Sequence, residues 1–176
     1  MHSCKFVQIE HSNGRKEEYF ENDGLKEGIY RAYHHNGQLH KECNYINNFE
    51  EGTYKSYHYN GQIDEEHNYI NGFIEGIHTS YHSNGQLKEV CNYKNGLRYG
   101  IYKSYHANGQ PCISCNYFNG TRSNEYKIYR TDGSLYEECN YINGILHGVS
   151  RSYNEYGQLI KEFIYVNGIK VEKILN

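Results

Sequence analysis

A 24-residue period restricts the fold of this chain more than any other sequence feature. Six copies follow one another without an insertion, at 28–51, 52–75, 76–99, 100–123, 124–147 and 148–171. A looser copy at 5–27 precedes them, and we expect it to cap the array because terminal repeats are usually atypical. Residues 172–176 remain as a tail. The sequence therefore predicts a single repeat domain over 1–176.

Each copy contains two dipeptides that favour tight turns. Asn-Gly tolerates positive φ at both central positions of a type I′ turn, which makes it the strongest short-range hairpin signal. The first turn is predicted at Asn36-Gly37, Asn60-Gly61, Asn84-Gly85 and Asn108-Gly109, and the second at Asn71-Gly72, Asn95-Gly96, Asn119-Gly120, Asn143-Gly144 and Asn167-Gly168. With 21 Tyr and no Trp, the chain is predicted to be all-β. We expect an open, single-layer antiparallel meander of about 14 strands in an elongated array.

Charges across the first turn select its register. A two-residue turn opposes Arg31 to Glu42 and Arg151 to Glu162, whereas a shift by one residue opposes Arg31 to Lys41. Like charges directly opposite each other are destabilising, so the two-residue register is preferred. At the second turn the same register gives apolar pairs: Ile46 with Phe49, Ile70 with Phe73, Ile142 with Ile145, and Val166 with Ile169.

This register assigns the side chains to two faces. The "cysteine face" is predicted to be the packed one, because it sets small cysteines opposite large tyrosines. It carries Tyr30, Tyr54, Tyr102, Tyr126, Leu39, Leu87, Leu135, Leu159, Cys43, Cys91, Cys115, Cys139, Tyr45, Tyr69, Tyr93, Tyr117, Tyr141 and Tyr165. The other face, the "Tyr33 face", carries the Lys/Glu pairs and the "Tyr33 row": Tyr33, Tyr57, Tyr81, Tyr105, Tyr129 and Tyr153. A three-residue loop at the first turn would instead move the Tyr33 row to the face of the leucines.

The recurring strings Gly-x-Tyr-x-x-Tyr, Asn-Gly-Gln-Leu and Tyr-x-Asn-Gly resemble the MORN repeat family. The resemblance is to the variant found in some bacterial proteins described as antitoxins and in many giant-virus proteins. It covers 28–171 well and 5–27 loosely. The resemblance implies an open, twisted antiparallel sheet shaped like a half-pipe, with roles in scaffolding, dimerisation and, for some members, phospholipid contact. None of these roles is a reaction.

The Tyr33 row is the predicted partner-binding surface, because half-exposed tyrosines are enriched in binding surfaces. We expect a non-enzymatic protein-interaction scaffold whose partner is another protein or a second copy, with a homodimer favoured. The alternatives are a module for a lipid headgroup or small ligand, or an antitoxin-like inhibitor. A formal net charge of −3 argues against nucleic acid, and membrane phospholipid is the weaker partner. Without a signal peptide or an apolar span, a cytoplasmic location is expected, in the host if the chain is viral.

Apparent chemical sites are interpreted as structural. Cys112 and Cys115 have metal-site spacing but no second pair, so core packing is preferred. The recurring histidines beside the first turns are expected to be a solvated row that could make partner binding respond to pH: His34, His58, His82 and His106. No catalytic residue, metal ligand or cofactor is therefore predicted. Pro111 is expected to face Ile128 and to lose a ladder hydrogen bond there. With Asn124 in place of the usual Gly, this junction is the predicted weak joint of the array.

Overall fold

The computed structural model describes residues 4–171, and this part of the chain contains strands and no helix. The chain divides into two compact units, Met1–Gln86 and Leu87–Asn176. The first unit contains β1 (Lys5–Glu10), β2 (Lys16–Asn22), β3 (Leu25–Tyr33), β4 (Leu39–Ile46), β5 (Phe49–Tyr57), β6 (Ile63–Ile70) and β7 (Phe73–Tyr81). The second contains β8 (Leu87–Lys94), β9 (Leu97–Tyr105), β10 (Pro111–Phe118), β11 (Thr121–Tyr129), β12 (Leu135–Ile142), β13 (Ile145–Leu146), β14 (Gly148–Tyr153), β15 (Leu159–Val166) and β16 (Ile169–Val171).

The all-β antiparallel prediction is confirmed. Within each unit, consecutive strands pair antiparallel, except that β13 and β14 both pair with β12, and the result is an open meander. The described residues form sixteen strands instead of about 14, because His147 separates β13 from β14 and because β16 closes the last hairpin. The single domain over 1–176 and the cap at 5–27 stay predictions, and the tail at 172–176 lies outside the described residues. The described residues include no helix long and apolar enough to span a bilayer.

The second turns form as predicted. Asn71 and Gly72 have φ of 50° and 77°, as both central positions of a type I′ turn require. The flanking residues Ile70 and Phe73 are paired, and the three other predicted apolar pairs also form. Each turn also bonds to the copy before it: the Gly72 N–H donates to the Glu50 carbonyl at 2.9 Å, and later turns repeat the bond.

The first turns differ from the predicted type. Gly37 has φ of 82°, but Asn36 does not adopt positive φ. The His34 N–H donates to the Gln38 carbonyl and the Gly37 N–H to the His34 carbonyl, which closes a three-residue loop rather than a two-residue turn. The predicted turn asparagines still have a structural role, because Asn36 Oδ1 accepts from the Gln38 N–H at 3.1 Å. The same bond recurs at Asn60, Asn84 and Asn108.

A β-bulge restores the predicted register beyond this loop. Tyr33 pairs with Leu39 and Ala32 with Lys41, so His40 is the extra residue. Arg31 therefore still faces Glu42, and the equivalent pairs Lys55–Glu66, Lys127–Glu138 and Arg151–Glu162 are confirmed. Since directly opposed side chains share a face, the predicted placement of Leu39 and its equivalents on the cysteine face is wrong. The bulge moves the leucines to the Tyr33 face. The alternative of a three-residue loop correctly predicted that the two sets share a face, but it expected the tyrosines to move.

The predicted packed face is confirmed within each unit. In the first unit the buried cluster on the cysteine face comprises Tyr30, Ala32, Cys43 and Tyr45. In the second it comprises Cys91, Tyr102, Cys115, Tyr126 and Cys139. These strands build a core without a second layer because large tyrosines lie over small cysteines, as in the Tyr126–Cys139 pair.

The predicted placement of Pro111 is wrong. Ile128 pairs with Ile113, and the ladder between β10 and β11 begins at that pair. Pro111 pairs with Tyr105 of the preceding strand instead. Its missing N–H therefore removes no bond opposite Ile128. The weak joint itself stays a prediction, which now depends on Asn124 alone.

Candidate functional site

The Tyr33 row lies half-buried, and three of its phenols bond to glutamates of the neighbouring strand. The Tyr33 hydroxyl donates to Glu18 at 2.9 Å, and the Tyr153 hydroxyl donates to Glu138 at 2.7 Å. Tyr81 does the same with Glu66. These hydroxyls are committed to bonds within the sheet, so the row offers ring edges more than polar groups to a partner. Its role in partner binding stays a prediction.

The histidines beside the first turns are not a solvated row. His34 is only 6% exposed, and its Nε2 lies 2.9 Å from the Tyr57 carbonyl of the next copy. A carbonyl only accepts, so Nε2 carries the proton. His58 and His106 repeat this contact with Tyr81 and Tyr129. The expected solvated edge is thus a set of bonds between consecutive copies.

Large exposed apolar side chains flank the second turns on the Tyr33 face. We call them the "turn-edge band". Its members are Ile46, Phe49, Ile70 and Phe73 in the first unit, and Leu97, Phe118, Ile142, Ile145, Val166 and Ile169 in the second, each at least 45% exposed. Phe49 lies close to Gly72 of the next turn, so the band runs from one turn to the next within the first unit. In the second unit Leu97 lies close to Gly120, and Ile145 to Gly168. The sequence analysis used these residues only as register pairs, although apolar residues on both sides of a recurring turn indicate an exposed edge.

Cationic side chains cover the tyrosines of the cysteine face. In the first unit Lys26 Nζ lies 4.5 Å from the centroid of the Tyr30 ring. In the second, the guanidinium carbon of Arg98 lies 5.1 Å from the Tyr102 centroid, and that of Arg122 lies 4.7 Å from the Tyr126 centroid. A cation at this distance is attracted to the ring and shields it from water. The cysteine face is therefore closed by charge as well as by packing.

The thiols of this face are poor nucleophiles. All six cysteines are free. Burial raises the pKa of the Cys43 and Cys115 thiols and raises that of Cys139 to about 11, so these three stay protonated at neutral pH. Cys112 is half-buried in the strand that also carries the buried Cys115. This agrees with the interpretation of the cysteines as small core residues.

Two buried histidines interrupt the pattern of the cysteine face in the first unit. His67 stands where four other copies carry Cys, and His78 stands where other copies carry Tyr. Their rings stack with centroids 5.2 Å apart, and Tyr54 stacks on the other side of His67 at 4.6 Å. Burial lowers the pKa of His67, and repulsion from a protonated His78 lowers it further. Nε2 of His78 lies 3.3 Å from Oε2 of Glu65.

The consensus of the repeat does not predict this pair. The signal lies in departures from the consensus: within the first unit, the Cys row lacks a member at 67, and the Tyr row lacks one at 78. Neighbouring antiparallel strands bring these two positions together, because β6 pairs with β7. Reading the exceptions to a repeat, and not only its consensus, would have placed both imidazoles on one face.

The family model described as MORN repeat variant matches the chain six times, at 26–47, 50–71, 74–95, 98–119, 122–143 and 146–167. Each match contains one first turn and ends at the first residue of the second turn that follows it. A comparison with curated proteins gives no match.

Proposed function

Because the chain belongs to the MORN repeat variant family, whose repeats are associated with binding to protein or membrane lipid, we propose that it is a non-enzymatic scaffold that binds protein. The turn-edge band is the binding surface, and a second copy of the chain is the partner to test first. The observation that carries this proposal is the exposure of the band's large side chains, with Phe49 and Phe73 each 59% exposed.

The band suits protein contact for two reasons. Within each unit, backbone hydrogen bonds such as Gly72 to Glu50 join consecutive turns, so the exposed apolar side chains beside them are held at fixed positions. Monomeric proteins rarely leave a large continuous apolar patch uncovered. Phenylalanine in such a patch supplies area at little entropic cost, because the side chain has only two rotatable bonds. The Tyr33 row lies on the same face and adds ring edges to the surface.

The test is the molar mass of the reduced chain, measured by light scattering after size-exclusion chromatography over a range of concentrations. We expect a dimer of the 20.7 kDa chain. Replacing Phe49 and Phe73 together by Glu should weaken dimerisation at least tenfold, because it places charge in a contact that excludes water. The matched control is Tyr156→Glu, which alters an aromatic residue that is 77% exposed and lies outside the band. This control should dimerise as the wild type does.

A monomer at every concentration would overturn self-association and leave a different protein as the partner. A photo-reactive phenylalanine analogue at position 73 then tests the scaffold itself. Cross-linked protein above the level obtained from position 156 supports it, and none rejects it. The wild-type chain should not sediment with phosphatidylserine vesicles. If it does, and if the Phe49/Phe73 variant no longer does, the band binds membrane lipid and the proposal is contradicted.

A further inference from the structure

The histidines at 67 and 78 lower the free energy of unfolding in a way that the equivalent residues of the other copies do not. Both ring nitrogens of His67 are buried and have no hydrogen-bond partner among the residues that the structure describes, and the side chain is only 7% exposed. A buried polar atom without a partner destabilises the folded chain. Cysteine at the equivalent positions, such as Cys43 and Cys115, carries no such cost. A ligand for this imidazole is the simplest compensation.

The groups around His67 are those that bind transition metals. One ligand atom each from Glu65, His67 and His78 lies within 4.8 Å of the other two. Two imidazoles and one carboxylate are a common zinc set that leaves a fourth position open to water. Carbonyl oxygens and multiple carboxylates, which suit calcium and magnesium, are not the donors in this cluster.

The separations fit a metal with little rearrangement. At a metal–ligand bond length of about 2.0–2.1 Å, two ligand atoms of a tetrahedral site lie about 3.3 Å apart. The distance between Nε2 of His78 and Oε2 of Glu65 is already 3.3 Å. The remaining separations, up to 4.8 Å, close by rotation of side chains on two paired strands whose backbone stays in place. Glu65 is 36% exposed, so an ion can enter from solvent at the carboxylate.

The ring of His67 is held in place by its neighbour. The stack of Tyr54 against His67 fixes the plane of the ring, which lowers the entropy that a ligand must lose on binding.

We propose that Glu65, His67 and His78 bind one divalent transition metal ion of the zinc class, with the fourth position held by water. The site belongs to the first unit, because no other described copy places two histidines at these positions. It goes beyond the proposed scaffold function, which requires no metal. The ion would tie β6 to β7 on the face that elsewhere depends on tyrosine and cysteine.

The test uses the full chain, stripped with EDTA and reduced without a thiol reductant. Zn²⁺ is titrated by calorimetry, and Co²⁺ is added as a spectroscopic probe. We expect one equivalent bound with a dissociation constant at or below the micromolar range, and a rise in melting temperature with Zn²⁺. Bound Co²⁺ should give the visible bands of a four- or five-coordinate site without a thiolate charge-transfer band.

Three variants decide the assignment. His78→Tyr installs the residue that four other copies carry, so it should fold, and it should weaken Zn²⁺ binding at least tenfold. Glu65→Gln keeps the shape of the side chain and removes the anionic ligand, with the same expectation. His35→Ala removes an exposed histidine of the same unit and should leave the affinity unchanged. Equal affinity in the wild type and His78→Tyr would overturn the proposal, and so would a thiolate band with Co²⁺.

Discussion

The two units build the same hairpin on different cores. In the second unit the cysteine face is closed by alternating tyrosine and cysteine, with Tyr102 and Tyr126 among three buried thiols. In the first unit the equivalent positions include His67 and His78. Of the described residues, all five buried polar side chains belong to this first unit: His34, Ser56, His67, His78 and Ser80. The backbone thus tolerates imidazole in the core. The difference between the two units should therefore appear in the free energy of unfolding when residues are exchanged between them.

The largest expected effect on the free energy of unfolding comes from placing histidine, the residue at 67 in the first unit, at the equivalent position 115 of the second unit. Cys115→His places a larger polar ring where a thiol that is 3% exposed packs against Tyr102 and Tyr126. Overpacking and an unpaired ring nitrogen should together lower the free energy of unfolding by about 2–4 kcal/mol. Urea denaturation followed by tyrosine fluorescence measures the change. Cys112→His, at the half-buried site on the same strand, is the control, and an equal loss in both variants would deny any special demand at 115.

The reverse exchange should sharpen the comparison. His67→Cys restores the residue of the other copies and removes both unpaired ring nitrogens. In metal-free protein we expect the free energy of unfolding to rise by about 1–2 kcal/mol. Urea denaturation in the presence of EDTA measures this change in the free energy of unfolding. A destabilised variant would mean that the stack on Tyr54 contributes more than the unpaired nitrogens cost.

A substitution at Asn124 tests the predicted weak joint, which lies in the second unit. Asn124 has φ of 62° at a position where the other regular copies have Gly, such as Gly100 at 75° and Gly148 at 84°. Glycine adopts this conformation without strain, so Asn124→Gly should raise the free energy of unfolding by about 0.5–1 kcal/mol. Amide exchange over 111–128 should slow toward that of 63–80 in the first unit. If exchange over 111–128 is already no faster than over 63–80 in the wild type, there is no weak joint.

The smallest expected effect is a pH dependence confined to the first unit. Burial lowers the pKa of His40, and the neighbours His34, Arg15 and Lys41 lower it further, while Asp64 opposes them. The unfolded chain therefore takes up the proton first as pH falls below about 6.5, so stability is present above that pH and lost below it. The urea midpoint should fall between pH 7.5 and 5.5, and less so in His40→Tyr, which copies the residue at Tyr136. An equal fall in both proteins would assign the effect to other groups.

The second turn could be predicted from sequence because its two central residues decide it. Asn71 and Gly72 both need positive φ, and no other short turn between paired strands satisfies that need as well. The first turn contains the same dipeptide, yet Asn36 stays at negative φ and its side chain accepts from Gln38. The dipeptide alone does not distinguish a two-residue turn from a three-residue loop. The bulge at His40 then hid the error, because it restored the charge pairs on which the register was judged.

The candidate sites were harder to predict because they depend on departures from the average copy. The Tyr33 row is regular and was found at once, whereas His67 is an exception that only pairing of β6 with β7 brings next to His78. The exposure of Phe49 and Phe73 follows from the bulge and turn geometry at the strand end, which alternation of side chains along a strand does not encode. Sequence therefore predicted the strands and their partners better than the surface they present.

The stacking of the second turns affects how the number of copies can change during evolution. Within each unit the bond between consecutive copies joins backbone to backbone, as from Gly72 to Glu50 and from Gly144 to Arg122, so it does not depend on which side chains the neighbours carry. A gene that gains or loses one whole copy by recombination within a unit leaves every remaining joint with the same backbone partners. Length in such a lineage can change in whole-copy steps without new compensating substitutions, while rare side chains such as His67 mark individual copies and make their duplication traceable.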